Sequence, residues 1–194
     1  MSQGISLIVG LGNPGAEYAE TRHNAGFRFL DVLLDATGEK LRAESRFSAN
    51  AGKINLGGRD IWLLEPQTFM NHSGEAVSKF SHYYKIPAAE ILVVHDELDL
   101  PPGTVRLKVG GGDGGHNGLS DITEKLGTSD YVRLRLGIGH PGNAAQVISY
   151  VLKKAPASEQ ALIDAAIQHG KTHLAEIVHG EFQKAMNSLH THNQ

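Results

Sequence analysis

SLIVGLGNPGAEYAETRHNAGF, residues 6–27, joins a short apolar run to a glycine-rich loop and then to a polar segment. The apolar run predicts a buried strand, and the three glycines of GLGNPG match the G-x-G-x-x-G fingerprint of a dinucleotide-binding turn. In such a turn the helix begins at the glycines, so that its first amides meet the pyrophosphate. Here the polar segment extends to residue 23 before a helical pattern starts at Asn24. The stretch therefore favours a loop that presents polar side chains over a dinucleotide turn.

The rest of the chain alternates between strand and helix patterns. Strands are predicted at residues 5–10, 48–57, 60–66, 90–96, 104–109 and 131–139, and helices at residues 24–36, 73–85 and 118–126. From Ser158 onward we expect one or two amphipathic helices, whose apolar side carries Leu162, Ile163, Ile167, Leu174, Ile177 and Val178. Residues 191–194 are expected to fray. This alternation, without repeats or linkers, predicts one α/β domain over residues 1–194 with a central sheet and outer helices.

Composition narrows the possible functions. The chain has no cysteine, which excludes disulfides, thiolate zinc sites and a cysteine nucleophile. The longest apolar runs are too short to span a bilayer and no secretory signal pattern is present, so we expect a cytoplasmic protein without a membrane partner. The net charge is −3, but residues 104–154 carry 7 Lys and Arg against 4 Asp and Glu. This block is either a modest phosphate-binding face or an ordinary solvated surface.

Polar side chains are concentrated after the predicted strands, where ligands usually bind in α/β sheets. His23 has the intrinsic pKa best suited to exchange protons near neutrality, and Asp96 follows a buried strand. A carboxylate bonded to the far nitrogen of a histidine fixes its tautomer and stabilises the imidazolium. Asn13, Asn71 and Asn117 donate and accept hydrogen bonds without charge, which suits binding of an amide backbone and donation to a developing oxyanion.

Neither a nucleophile nor a metal site is evident. Ser73 and Ser120 lie at predicted helix starts and are interpreted as caps, as is Asn24, and no G-x-S-x-G elbow occurs. Glu97 and Asp99 near the end of a strand do not match a calcium loop, and no H-E-x-x-H is present, so we expect no metal and no cofactor. The residues thus indicate attack by water, with a general base, on an ester or activated acyl group.

The glycine-rich stretch VGGGDGGHNG, residues 109–118, resembles a phosphate-binding loop only superficially. A P-loop needs Lys and then Ser or Thr after its last glycine, whereas His116 and Asn117 follow here. The stretch predicts a mobile loop that either closes over a substrate or is a flexible connection.

Five blocks in order, LIVGLGNPGAEYAETRHNAGF, PQTFMNHSGEAV, ILVVHDELDLPPG, GGHNGL and RLRLGIGHPG, resemble the bacterial peptidyl-tRNA hydrolases. The resemblance runs nearly end to end. It implies an α/β fold in a single compact domain, with a mixed central β-sheet flanked by helices, and usually a monomer. It also implies hydrolysis of the ester that joins a peptide to the 3′ ribose of tRNA, which recycles tRNA from peptidyl-tRNA released by stalled ribosomes.

The resemblance also implies roles for individual residues. His23 corresponds to the base that activates water, and Asp96 to the acid that orients it. The positions that correspond to the substrate-binding cleft are Asn13, Tyr18, Met70, Asn71, His116 and Asn117. Two residues of the positive block, Lys108 and Arg135, match positions associated with tRNA phosphates.

Two departures from the family pattern concern tRNA binding. Asp113 stands where many members have histidine, and no basic residue follows the GHPG motif until Lys153 and Lys154. Both departures weaken the expected tRNA surface, and neither touches the residues expected to carry the reaction. Two other functions stay open: an RNA-binding protein on the same fold without catalysis, and a nucleotide-dependent oxidoreductase built on the glycine fingerprint. The first predicts a damaged His or Asp, and the second predicts a bound cofactor.

Overall fold

Seven strands form one sheet, with helices packed on both of its faces, in the computed structural model, which describes residues 4–191. The strands are β1 (Leu7–Gly10), β2 (Arg42–Glu44), β3 (Ala49–Leu56), β4 (Arg59–Pro66), β5 (Ile91–Glu97), β6 (Val105–Val109) and β7 (Val132–Gly137). The helices are α1 (Ala25–Thr37), α2 (Ser73–Tyr83), α3 (Asn117–Leu126), α4 (Val147–Val151), α5 (Ala157–Thr172), α6 (Leu174–Val178) and α7 (Phe182–Thr191). Within residues 4–191, none of these helices is long and apolar enough to cross a membrane.

The sheet is mixed, with strand order β2-β3-β4-β1-β5-β7-β6. Strands β4, β1, β5 and β7 are parallel, whereas β2, β3 and β6 pair antiparallel with their neighbours. The four parallel strands end at the same edge of the sheet. The loops that follow β1, β4 and β5 therefore meet there, which is where ligands usually bind in such sheets.

The central strands are apolar because both of their faces are covered. All seven residues of β5 are buried, and the four residues of β1 are buried as well. Consecutive residues point to opposite faces: Leu92 and Val94 join the core beneath α1 and α5, whereas Val93 joins the core beneath α2 and α3. Continuous apolar runs are typical of strands buried on both faces.

The mixed α/β fold is confirmed, and all the predicted strands and internal helices are present with ends shifted by no more than two residues. The sequence patterns missed the short strand β2 and the five-residue helix α4. The expectation of one or two C-terminal helices is wrong, because the segment forms α5, α6 and α7, and Gly180 at φ 81° separates the last two. Leu162 was assigned to the apolar face but is 49% exposed. Of the segment expected to fray, Thr191 ends α7 and residues 192–194 lie outside the described residues.

The prediction of three helix caps is wrong, because none of the three residues caps its helix through a side-chain hydrogen bond. Asn24 is in the N-cap position of α1, but its side chain bonds to the backbone of Asn13 instead. Ser73 is the first residue of α2, and its buried hydroxyl donates to the carbonyl of Met70 at 2.7 Å. Ser120 lies inside α3, whose cap is His116.

The glycine fingerprint serves packing between β1 and α1. Helix α1 begins at Ala25, ten residues after the last glycine of the pattern, whereas in a dinucleotide-binding turn the helix begins at the glycines. A side chain on Gly10 would collide with Leu30, and one on Gly12 would meet the ring of Phe27 at 2.7 Å. The requirement for close approach explains these two glycines without a nucleotide.

Gly26 in α1 allows the closest contact between this helix and the sheet. A Cβ at this position would overlap the backbone nitrogen of Leu11 and the carbonyl oxygen of Val94. Backbone atoms of two central segments cannot yield as a flexible side chain can. Gly170 in α5 differs, because a Cβ there would lie 3.3 Å from side-chain carbons of Leu134 and Phe29.

We expect Gly26→Ala to lower the free energy of unfolding by about 2 to 3 kcal/mol, because the backbone contact has to open. Gly170→Ala should change it by no more than about 1 kcal/mol, since the gain in helix propensity offsets mild crowding. Urea unfolding of both variants and the wild type measures the difference. Equal free energies of unfolding for the two variants would show that the close backbone contact at Gly26 is not needed for stability.

Candidate active site

His23 and Asp96 form a buried pair at the edge of the sheet where the parallel strands end. His23 lies in a 3-10 turn that leads into α1, and Asp96 is the sixth residue of β5. The Nδ1 atom of His23 lies 2.9 Å from Oδ2 and 3.0 Å from Oδ1 of Asp96. An ionised carboxylate only accepts, so Nδ1 carries the proton and Nε2 keeps the lone pair. The predicted proximity of these residues is thus present in the structure.

The electrostatics of the pair makes His23 a stronger proton acceptor than an ordinary histidine. Burial by itself lowers the pKa of His23, but the charge of Asp96 and its hydrogen bond outweigh that effect and leave the pKa raised above its ordinary value. Burial by itself raises the pKa of Asp96, whereas electrostatic attraction and hydrogen bonds from the N–H groups of His23 and His116 hold it far below its ordinary value. Asp96 therefore stays ionised and stabilises a proton on His23 when that proton arrives.

His116 is a second hydrogen-bond donor to the same carboxylate. Its Nε2 atom lies 2.9 Å from Oδ1 of Asp96. Its Nδ1 atom accepts from the backbone N–H groups of Gly118 and Leu119, and so caps the first turn of α3. These three bonds require a neutral ring protonated at Nε2. The sequence assigned His116 to substrate binding; the structure shows that it also orients Asp96.

The same three side chains form a cluster with metal-ligand chemistry. One ligand atom from each of His23, Asp96 and His116 lies within 4.8 Å of the others. A metal ion would need a lone pair from His116 Nε2, which carries the proton because Nδ1 accepts two backbone N–H groups. The cluster is therefore two N–H donors bonded to one ionised carboxylate, and this protonation pattern does not fit a metal ion.

The side-chain amide of Asn13 bonds to the protein through its oxygen atom. Its Oδ1 atom accepts from the backbone N–H of Met70 at 2.7 Å. Asn24 bonds to both backbone groups of Asn13, accepting from its N–H at 2.8 Å and donating to its carbonyl at 3.0 Å. The remaining group of the Asn13 amide is Nδ2, a donor. This arrangement offers a hydrogen bond to an oxygen atom of a ligand.

All eight residues assigned to catalysis or substrate binding line one cleft of about 280 Å³. They are Asn13, Tyr18, His23, Met70, Asn71, Asp96, His116 and Asn117. Asn71 and Asn117 are exposed on the rim, the first just before α2 and the second as the first residue of α3. Tyr18 packs its ring edge against Phe69, with 6.2 Å between ring centroids.

The structure adds residues that the sequence did not single out. Asn24 was read as a cap, although it locks the loop that carries Asn13. The cleft also has an apolar wall, formed by Phe69 and by residues of or next to α4: Val147, Ile148, Val151 and Leu152. Phe69 is 58% exposed and Ile148 is 71% exposed. Only the tertiary structure brings this wall to the cleft, since α4 was not predicted.

The two residues assigned to tRNA phosphates lie outside this cleft. Lys108 on β6 and Arg135 on β7 line a neighbouring cavity of about 90 Å³. The Nε atom of Arg135 donates to Oε1 of Glu97 at 3.0 Å. Glu97 and Gly114 line both cavities.

The glycine-rich loop is anchored at one end. The guanidinium group of buried Arg133 donates to the carbonyl oxygens of Gly111 and Gly112. Asp113 accepts from the N–H of Gly115 at 2.9 Å, so the acidic tip belongs to a local turn. The loop between these bonds leads directly to the capping residue His116.

The fold and this site define an α/β protein whose buried His–carboxylate pair is arranged for general-base chemistry in an amide-lined cleft. The chain belongs to the peptidyl-tRNA hydrolase family, whose profile matches residues 7–194. The resemblance seen in the sequence motifs is thereby confirmed.

Individual relatives agree with this assignment along almost their whole length. The peptidyl-tRNA hydrolase of Teredinibacter turnerae is 55% identical over 98% of this chain and all of its own length. That of Neisseria gonorrhoeae is 50% identical over 98% of this chain and all of its own length. The crystal structure of peptidyl-tRNA hydrolase from Acinetobacter baumannii superposes with a TM-score of 0.94 at 51% identity, covering 97% of this chain and 95% of that one.

We expect Asp96→Asn to lower the pKa of His23 below its ordinary value, because burial then acts without the compensating charge. In the wild type, the raised pKa of His23 also makes the stability of the fold depend on pH. This raised pKa stabilises the fold fully below about pH 6.5, and this contribution is lost as the pH rises through the raised value. NMR titration of the His23 ring measures the shift, with exposed His72 as the internal control. An unchanged titration of His23 in the variant would contradict this account.

Proposed function

We propose that this chain hydrolyses the ester bond between a peptide and the 3′ ribose of tRNA, with His23 as the general base. The observation that carries the proposal is the buried His23–Asp96 pair, 2.9 Å apart, at the floor of a cleft lined by three asparagines. Membership of the peptidyl-tRNA hydrolase family supports the choice of substrate. The reaction needs no cofactor, because water is the second substrate.

The proposed mechanism is attack by water on the ester carbonyl. His23 Nε2 takes one proton from the water as its oxygen bonds to the carbonyl carbon, and Asp96 stabilises the imidazolium that forms. The tetrahedral intermediate then collapses, the bond to the ribose oxygen breaks, and His23 returns the proton to that oxygen. The products are a peptide with a free carboxyl group and tRNA with its 3′ hydroxyl restored. Ser73 has no part in this, because its hydroxyl is buried and bonded to Met70.

The asparagines are proposed to bind the peptide part of the substrate. The free Nδ2 of Asn13 donates to the developing oxyanion or to a peptide carbonyl. Asn71 and Asn117, exposed on the rim, pair with the peptide backbone, while Tyr18 and Met70 line the cleft. Neutral amides suit a substrate whose amino group is already acylated, which would spare ordinary aminoacyl-tRNA.

The tRNA part is proposed to contact Lys108 and Arg135 through its phosphates. A guanidinium and an ammonium on adjacent strands supply the positive charge that phosphate contacts need. Glu97 holds Arg135 from one side, which leaves the guanidinium donors other than Nε for a phosphate. We also propose, from the family resemblance, that the chain acts as a monomer in the cytoplasm, where peptidyl-tRNA is produced.

We expect His23→Ala to lower the rate of N-acyl amino acid release from N-acetylated aminoacyl-tRNA by at least ~100-fold, the size of general-base loss. His72→Ala, which removes an exposed histidine that does not line the cleft, should keep the wild-type rate. Unacylated aminoacyl-tRNA is the substrate control and should be cleaved far more slowly. Wild-type protein that binds the tRNA without releasing the acyl group would favour the RNA-binding alternative.

Lys108→Ala and Arg135→Ala should each weaken tRNA binding and reduce its salt dependence, because each removes one phosphate contact. The slope of log affinity against log salt concentration is expected to fall by about 1 for each variant. Lys40→Ala, an exposed lysine beyond the far end of α1, serves as the control for net charge. Identical salt-dependence slopes for Lys108→Ala and Lys40→Ala would show that Lys108 does not contact tRNA phosphates.

A further inference from the structure

His95 is a buried histidine beside the catalytic carboxylate that the proposed mechanism does not use. It is 1% exposed and lies in β5, directly before Asp96. Its Nδ1–H donates to the backbone carbonyl of Asp96 at 2.8 Å. Its Nε2 atom is buried and has no hydrogen-bond partner in the described residues. Only one of the two ring nitrogens therefore makes a polar contact.

His95 binds the carbonyl of Asp96, which is the first carbonyl on the β1 side of β5 that no neighbouring strand pairs. Strand β1 pairs with β5 as far as Gly10 and Val94, and Leu11 then donates its N–H to the carbonyl of Val94. Alternate carbonyls of a strand point to the same neighbour, so the carbonyl of Asp96 also points toward β1. At the level of Asp96, the chain that follows β1 has already left the sheet and continues as the loop that carries Asn13. On the opposite side the ladder continues, because Ile138 donates to Glu97.

An unpaired carbonyl at this point would leave the end of β5 unsupported. A buried backbone carbonyl without a donor is destabilising, which favours local rearrangement. The side chain of Asp96 extends from the same residue, so a rotation of its backbone moves the carboxylate away from His23. The bond from His95 removes this freedom.

The surroundings of His95 keep it neutral. Burial, the nearby ring of His116 and the charge of Arg133 lower the pKa of His95 to about 3, against the opposing influence of Asp96. The rings of His95 and His116 meet edge to face with centroids 5.2 Å apart. His95 thus contacts both the backbone of Asp96 and one of the two imidazoles that hold its carboxylate.

We propose that His95 is a positioning residue, which holds the Asp96 carbonyl through Nδ1–H and thereby directs the Asp96 carboxylate toward His23. The proposal rests on the roles given above to His23 and Asp96. It assigns the effect to one nitrogen atom of the ring. Replacements that keep or remove a donor at that atom therefore separate positioning from simple packing.

The test compares His95→Leu with His95→Asn. Leucine fills the space without a donor, and the Nδ2 of asparagine takes the place of Nδ1, while the unpartnered Nε2 is lost in both. We expect His95→Leu to lower kcat by about 10- to 100-fold with KM nearly unchanged, as for a misplaced catalytic group. Its acid limb in the pH profile of kcat/KM should move to lower pH, because His23 loses part of its support from Asp96. His95→Asn should recover the wild-type profile and a rate within a few-fold.

Controls separate this inference from loss of stability and from failure of the proposed function. Thr123→Val removes a bond to Tyr131 at the far end of α3 and should leave the pH profile unchanged whatever its effect on stability. If His95→Leu does not fold, His95→Gln replaces it, because its amide reaches the Nε2 position and not Nδ1. Wild-type kcat and pH profile in His95→Leu or His95→Gln, or equal impairment of His95→Asn, would overturn the positioning role. An inactive wild type would instead refute the proposed function.

Discussion

The carboxylate of Asp96 is buried, charged and shared between two histidines, and this constraint organises the site. An ionised carboxylate removed from water is costly unless several donors surround it. His23 and His116 supply those donors from the start of α1 and the start of α3. Asp96 therefore fixes the positions of two helices relative to β5. The pair that carries the proposed chemistry is also a structural junction.

Each donor is in turn held by backbone groups. His116 caps α3 with the nitrogen that does not reach Asp96, and the turn around His23 leads directly into α1. Asn24 locks the loop of Asn13, which then holds the backbone of Met70. The amide-lined cleft is thus a network in which polar side chains satisfy backbone groups first. The atoms left over, such as Nδ2 of Asn13, are available for a substrate.

Much of this was accessible from the sequence because the signals are local. The apolar run of β5 predicts a central strand, and polar residues after strand ends predict a site at that edge of the sheet. The three wrong cap assignments, Asn24, Ser73 and Ser120, share one cause. Local propensity identifies residues that are able to cap a helix, whereas the partner that wins depends on which backbone groups tertiary packing brings close.

The sequence by itself determined the α/β class, the order of the main strands and helices, the family motifs and the residue types able to carry acid–base chemistry. It did not determine that His116 and His23 bind the same carboxylate, that Glu97 lines both cavities, or that β2 and α4 are present and α4 lines the cleft. Those facts depend on contacts between segments dozens of residues apart, which have no periodic or local signature. Sheet order decides which loops meet, and burial then decides which charges must be paired. For this reason His95, an ordinary residue of an apolar strand in the sequence, is distinguished only by where β1 ends.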